Sequence, residues 1–250
     1  MSQVLSIVDS WLQPLLPRPN DRKPANAVVS GWPSWWAIVG WGSAILASSF
    51  AAALAVGAGA EDDGVARLFV GQIGLWAVFL VTAAIASRRF GTGRLSRDFR
   101  LGIAFGDAAR AVGVGVVVQL AVVPLVYVPL VAAGVDLDVS EPARELFRGL
   151  SPFGAILVGS GAVVFAPVAE ELLFRGVLLR GLADRFGAGP AIWLSAGFFA
   201  GTHFQLVQFP GLLAVGLVLA WLATRTGSVG APLWAHVGFN ATTVVMLAMR

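Results

Sequence analysis

Seven apolar stretches, at about 34–58, 66–87, 105–134, 153–182, 190–208, 211–225 and 230–249, take up most of this 250-residue chain, and the charges gather between them. Such lengths match the roughly 20 residues with which a helix crosses the hydrocarbon core of a bilayer. Only helices and closed barrels satisfy their backbone polar groups in that medium, and continuous rather than alternating runs select helices. At 57% hydrophobic and 12% charged, with mean hydropathy +0.80, the chain is too apolar for water to wrap it as one globular domain. The expectation is an all-α, polytopic transmembrane helical bundle of about seven spans, within limits of six and eight, forming one domain over 34–250. Its first partner is the lipid bilayer.

Ahead of the bundle, Val4, Leu5, Val8, Trp11, Leu12, Leu15 and Leu16 fall on one helical stripe. This predicts an N-terminal interfacial amphipathic helix, followed by a polar, Pro-rich linker to about residue 33. It lacks the basic start, continuous apolar core and small-residue cleavage site of a signal peptide, so no removal is expected. The third and fourth spans are long enough to tilt or kink, with Pro124, Pro129 and Pro167 as the candidate kinks.

Positive charge sets the orientation. Arg18, Arg22 and Lys23 precede the first span, whereas Glu61, Asp62 and Asp63 follow it, which places the N-terminus in the cytoplasm. Arg88, Arg89, Arg94, Arg97 and Arg100 mark the return to that side, and Asp136, Asp138, Glu141 and Glu145 mark the far side. Seven spans then leave the C-terminus outside. Arginines spread over connecting segments read as membrane orientation and give no nucleic-acid partner. The absence of cysteine excludes disulfides, thiolate zinc sites and cysteine nucleophiles.

Charge inside the apolar runs needs its own explanation. Glu170 and Glu171 lie within the fourth span, where a charged residue near the centre costs roughly 2.5–3.5 kcal/mol on insertion scales. Glu171 and Arg175 are four apart and share a face, which permits an ion pair. Glu170 points about 100° away, its same-face neighbours are Leu173 and Phe174, and it has no local cation. Turned toward the bundle interior, it is a credible proton acceptor and donor. Taken alone, the three residues also admit the reading of a structural ion cluster at a helix end, which the functional default for intramembrane charge outweighs. The chain's two histidines, however, both lie in later apolar segments, His203 four residues after Phe199 and His236 four residues before Asn240. A lone membrane histidine is usually a hydrogen-bonding link between helices. Two of them, with an asparagine and a carboxylate pair on three helices, are harder to assign to packing.

At these residues the sequence resembles the CPBP family, named for CAAX proteases and bacteriocin-processing enzymes and also called Abi. The family pattern is Glu-Glu-x-x-x-Arg, then Phe-x-x-x-His, then His-x-x-x-Asn or Asp. Here these are Glu170-Glu171 with Arg175, Phe199 with His203, and His236 with Asn240. The order matches, no motif position departs, and the resemblance covers a core of about 153–245. It implies a glutamate-dependent intramembrane endopeptidase, similar in active-site pattern to the type II CAAX prenyl endopeptidases. On that resemblance the catalytic residues are Glu170, His203, His236 and Asn240, with Glu171, Arg175 and Phe199 in support. Glu170 is then general base and later proton donor, His203 helps to hold water, and His236 with Asn240 donates to the oxyanion.

Two histidines and a carboxylate are also the ligand set of a catalytic zinc, so Glu170, His203 and His236 stand as alternative Zn2+ ligands. The chain lacks His-Glu-x-x-His, and asparagine is a poor zinc ligand and a good oxyanion donor, so no cofactor is the preferred reading. Intramembrane Glu, Arg and His equally mark transport pathways, but no internal repeat is visible. A noncatalytic scaffold holding a lipidated or transmembrane partner is the third reading. The expected substrate is a membrane-associated protein or peptide. The expected location is a bacterial inner membrane, from the Ala, Gly and Arg bias, with the site open to the cytoplasm.

Overall fold

The computed structural model describes residues 32–57, 65–135 and 137–249. The amphipathic N-terminal helix and nearly all of its linker lie outside the described residues, as do Glu61, Asp62, Asp63, Asp136 and Arg250. Among the described residues every regular element is helical. They are α1 (Ser34–Gly57), α2 (Val65–Phe90), the short α3 (Leu95–Asp98), α4 (Phe105–Ala132), the short α5 (Glu141–Phe147), α6 (Pro152–Phe186), α7 (Ala188–Gly201), α8 (Phe209–Thr226) and α9 (Gly230–Ala248). Each of the seven expected apolar stretches therefore contains a helix. Within α1, α2, α4, α6 and α8 lie segments long and apolar enough to cross a membrane, and the protein is an all-α integral membrane bundle.

The centre of the bundle is α6. Residues 171–179 are all buried, which a helix achieves only when others surround it. Leu173, Phe174 and Val177 pack with Trp32 and Ala37, with Trp76 and Phe79 of α2, and with Phe199 of α7. Outward, Leu46, Phe50, Leu125, Phe153 and Ile156 stand exposed, as side chains that face lipid tails should. Helix α4 lies against α9 at backbone contact. A Cβ on Gly115 would collide with the Ala235 carbonyl, and one on Gly238 with the Val112 carbonyl.

Two of the proline kinks are absorbed in a particular way. Val118–Val122 and Gly161–Phe165 are π-helical, each ending two residues before Pro124 or Pro167. A proline ring clashes with the carbonyl four residues back, and the extra residue of a π turn relieves that clash without breaking the helix. A third π segment, Leu172–Leu178, follows the paired glutamates directly.

The fifth stretch departs from expectation. A helix over 190–208 was the reading of its hydropathy, yet α7 ends at Gly201 after 14 residues, about 21 Å of rise and too short to cross the bilayer alone. The cause is local competition for one carbonyl. The Thr202 hydroxyl and His203 Nδ1 both bond to the Phe199 oxygen, each at 2.8 Å, and the His203 amide turns to Ala200 instead. Phe204 then takes φ +54°, a left-handed conformation uncommon for a bulky residue, and the chain turns toward α8.

Candidate active site

Helix α6 brings in the two carboxylates on different faces. Glu171 is fully buried and its Oε1 accepts from Arg175 Nη1 at 2.8 Å, the ion pair its spacing predicts. Arg175, also fully buried, sends Nη2 to the Gly216 carbonyl of α8 at 3.3 Å and lays its guanidinium 4.5 Å from the centre of the Phe199 ring. Glu170 keeps 16% of its side chain exposed against 0% for Glu171, so it is the carboxylate a substrate or water can reach.

Helix α9 brings His236 across to this pair. Its Nδ1 lies 2.9 Å from Glu171 Oε1, the oxygen already held by Arg175. A carboxylate beside a guanidinium is an acceptor, so Nδ1 carries the proton. The other ring nitrogen, Nε2, then faces Glu170 Oε2 at 3.8 Å, a gap wider than a direct hydrogen bond. Glu170 thus has a partner from another helix that its own helix does not supply. One turn further along α9, Asn240 donates Nδ2 to the Ala162 carbonyl at 2.7 Å, in the π turn of α6. An amide nitrogen has two N–H bonds, so one remains for a second acceptor.

Helix α7 supplies Phe199, and the turn that follows it supplies His203. The Phe199 ring meets His203 edge-on at 4.9 Å and His236 at 5.8 Å between centroids, so both imidazoles flank one aromatic wall. Contact of both rings with Phe199 brings the two imidazoles to one level of the bundle. His203 Nδ1 faces a carbonyl, which only accepts, so its proton sits there and Nε2 is left with a lone pair.

Glu170, Glu171, Arg175, Phe199 and His236 therefore form one connected group. His203 joins it through Phe199, and Asn240 flanks it while tied to Ala162. Among the described residues no three His, Cys, Asp or Glu side chains are grouped so as to hold a metal ion.

Several supporting residues escape a sequence reading. Asp98 is buried and accepts from the Ser87 hydroxyl and from the amide and hydroxyl of Thr92, while its own carbonyl accepts from Arg180 Nη1. The Val229 amide bonds to the Phe99 carbonyl and the Ser228 hydroxyl to that of Arg100, which fastens the start of α9. Tyr127 is the chain's single tyrosine, in the otherwise apolar run 120–133. That isolation is the one signal that could have marked it.

Residues 152–242 match the family model described as Type II CAAX prenyl endopeptidase Rce1-like. The chain is 30% identical to "CAAX prenyl protease 2" of Homo sapiens over a stretch covering 33% of each chain. It is 25% identical to the Bacillus subtilis (strain 168) protein named "Putative membrane peptidase YdiL" over 43% of each. The chain spans under half the length of the curated relatives it matches, and no solved structure matches. The resemblance drawn from the three motifs is borne out over the segment that carries them.

Proposed function

We propose that this integral membrane protein, Rce1-like over residues 152–242, is an intramembrane endopeptidase that hydrolyses a peptide bond with water activated by Glu170. The observation that carries this reading is the approach of His236 Nε2 to within 3.8 Å of Glu170 Oε2, on a histidine anchored by the buried Glu171 and Arg175. Both atoms are within reach of one water approaching from the open side, and Glu170 retains the exposure needed to exchange it.

In this mechanism Glu170 accepts a proton as the water oxygen attacks the scissile carbonyl carbon, and the lone pair on His203 Nε2 orients the water's second hydrogen. The negative charge moves to the carbonyl oxygen. The free N–H of Asn240 donates to it, as does His236 Nε2–H. Since His236 already spends its Nδ1–H on Glu171, donation at Nε2 requires the imidazolium, a cation that Glu171 and Glu170 flank. Collapse of the tetrahedral intermediate breaks the C–N bond as Glu170 returns its proton to the leaving nitrogen. Water, one carboxylic acid and one amine then balance.

The substrate is a membrane-associated or lipidated protein or peptide. It enters from the cytoplasmic side, where the arginine-rich segment 88–100 lies, in a bacterial inner membrane. The test compares the proteomes of cells carrying wild type and Glu170→Ala. An uncleaved membrane-associated substrate should accumulate only in the variant, and a well-folded variant with no accumulated substrate would overturn the reading in favour of a scaffold or carrier. Cleavage should also survive chelation of the purified protein. Loss restored by zinc alone would overturn the metal-free step.

A further inference from the structure

His203 does not sit on a helix. It follows Thr202, the C-cap of α7, so its imidazole is held to that helix through the Phe199 carbonyl and ring while its backbone belongs to the turn that leaves the helix. Its backbone is placed by the turn 202–208, which Tyr127 ties to α4. Tyr127 of α4 is 5% exposed, donates its hydroxyl to the Val207 carbonyl at 2.8 Å and accepts from the Gly211 amide at 3.1 Å. The two bonds close the start of α8 onto the turn, satisfying a carbonyl outside any helix and one of the unpaired amides of a helix N-terminus. In apolar surroundings neither group has cheap alternatives. The fit is close, since a Cβ on Gly211 would stand 3.1 Å from the Tyr127 oxygen and 3.2 Å from its Cε2. A second tie, Gln208 Nε2 to the Val139 carbonyl at 2.9 Å, holds the far end of the same turn. Between His203 and these anchors lies Phe204, whose φ of +54° persists only where its surroundings impose it.

We infer that Tyr127 is a positioning residue for His203. Its hydroxyl clamps the α7–α8 turn and so sets where the His203 Nε2 lone pair points. The inference rests on the reading of His203 as the residue that orients water in peptide hydrolysis.

The chain has two histidines, so 15N-histidine labelling of the full protein in nanodiscs gives two imidazole spin systems, assigned with His203→Gln. In Tyr127→Phe, which loses only the hydroxyl, the His203 resonances should shift or broaden while those of His236 stay at their wild-type positions. Turnover should fall about 10- to 100-fold with KM within about twofold, the loss expected of a misplaced group. Gly211→Ala keeps the hydroxyl but displaces the ring, and should move the same His203 resonances. His203 signals coincident with wild type in both variants would overturn the inference. So would equal displacement of His203 and His236, which is what general loosening produces. The imidazole signals need no turnover. A chain that cleaves nothing, yet shows the selective His203 change, would sink the peptidase reading and leave the clamp standing.

Discussion

His236 Nδ1 meets Glu171 Oε1 at 2.9 Å, joining residues 65 positions apart through the one oxygen that also receives Arg175. Glu171 is thereby the hinge pin of the site, holding a cation on its own helix and an imidazole on another. Removing one partner of a buried pair leaves an uncompensated charge, whereas replacing both with apolar groups of similar size is often neutral. Glu171→Leu should therefore cost about 3–5 kcal/mol, read as a lower midpoint in thermal unfolding in detergent. Glu171→Leu with Arg175→Met should recover most of that stability yet remain inactive, because His236 is no longer oriented. Recovery of cleavage in the double variant would show that the pair serves folding alone.

Glu170 is expected to behave in the opposite way. It is partly exposed and its ion-pair partner, His236, stands 3.8 Å away, so little of the fold depends on its charge. Glu170→Gln should melt within about 1 kcal/mol of wild type, the range of an isolated exposed ion pair. Its turnover should fall by about 10²–10⁴, the usual contribution of a positioned general base. Retention of even a tenth of wild-type turnover would remove Glu170 from the chemistry.

The contrast between these two glutamates was legible in the sequence, and the reason is local. Spacing of four fixed the Glu171–Arg175 pair and left Glu170 without a same-helix cation, and the structure keeps both features. What spacing could not give was depth. Hydropathy runs unbroken through Thr202 and His203, so the end of α7 is invisible there, and it turns on two side chains competing for the Phe199 carbonyl. The π turns were equally hidden, although Pro124 and Pro167 marked where the helices had to yield. The anchors at Asp98 and Tyr127 were missed because each joins segments tens of residues apart or sits in a connecting loop, where no period repeats.

Asp98 gives a dependence on pH that is separate from the catalytic groups. Burial raises its carboxyl, but donors from Ser87 and Thr92 outweigh that and hold it below the ordinary 3.8. A depressed carboxylate contributes stability that is complete above its unfolded value and is lost as pH falls through its folded one. Wild type should therefore hold its melting midpoint down to about pH 4 and lose this contribution only below that. Asp98→Asn should start lower at neutral pH and lose less between about pH 4 and pH 2. Parallel melting curves for the two across that interval would show that Asp98 adds no acid-sensitive stability.

Asn240 separates ground-state structure from transition-state stabilisation. One of its N–H bonds is committed to the Ala162 carbonyl, which keeps the amide plane fixed relative to the π turn of α6. The second N–H is then pre-aimed, and a donor that meets charge only as it develops acts on turnover rather than on binding. Asn240→Ala should lower kcat by about 10²–10³ with KM nearly unchanged, as loss of one oxyanion donor does elsewhere. If the alanine variant instead raised KM in proportion to its loss of rate, Asn240 would be a substrate-binding group and the oxyanion donor would have to be sought on His236 alone.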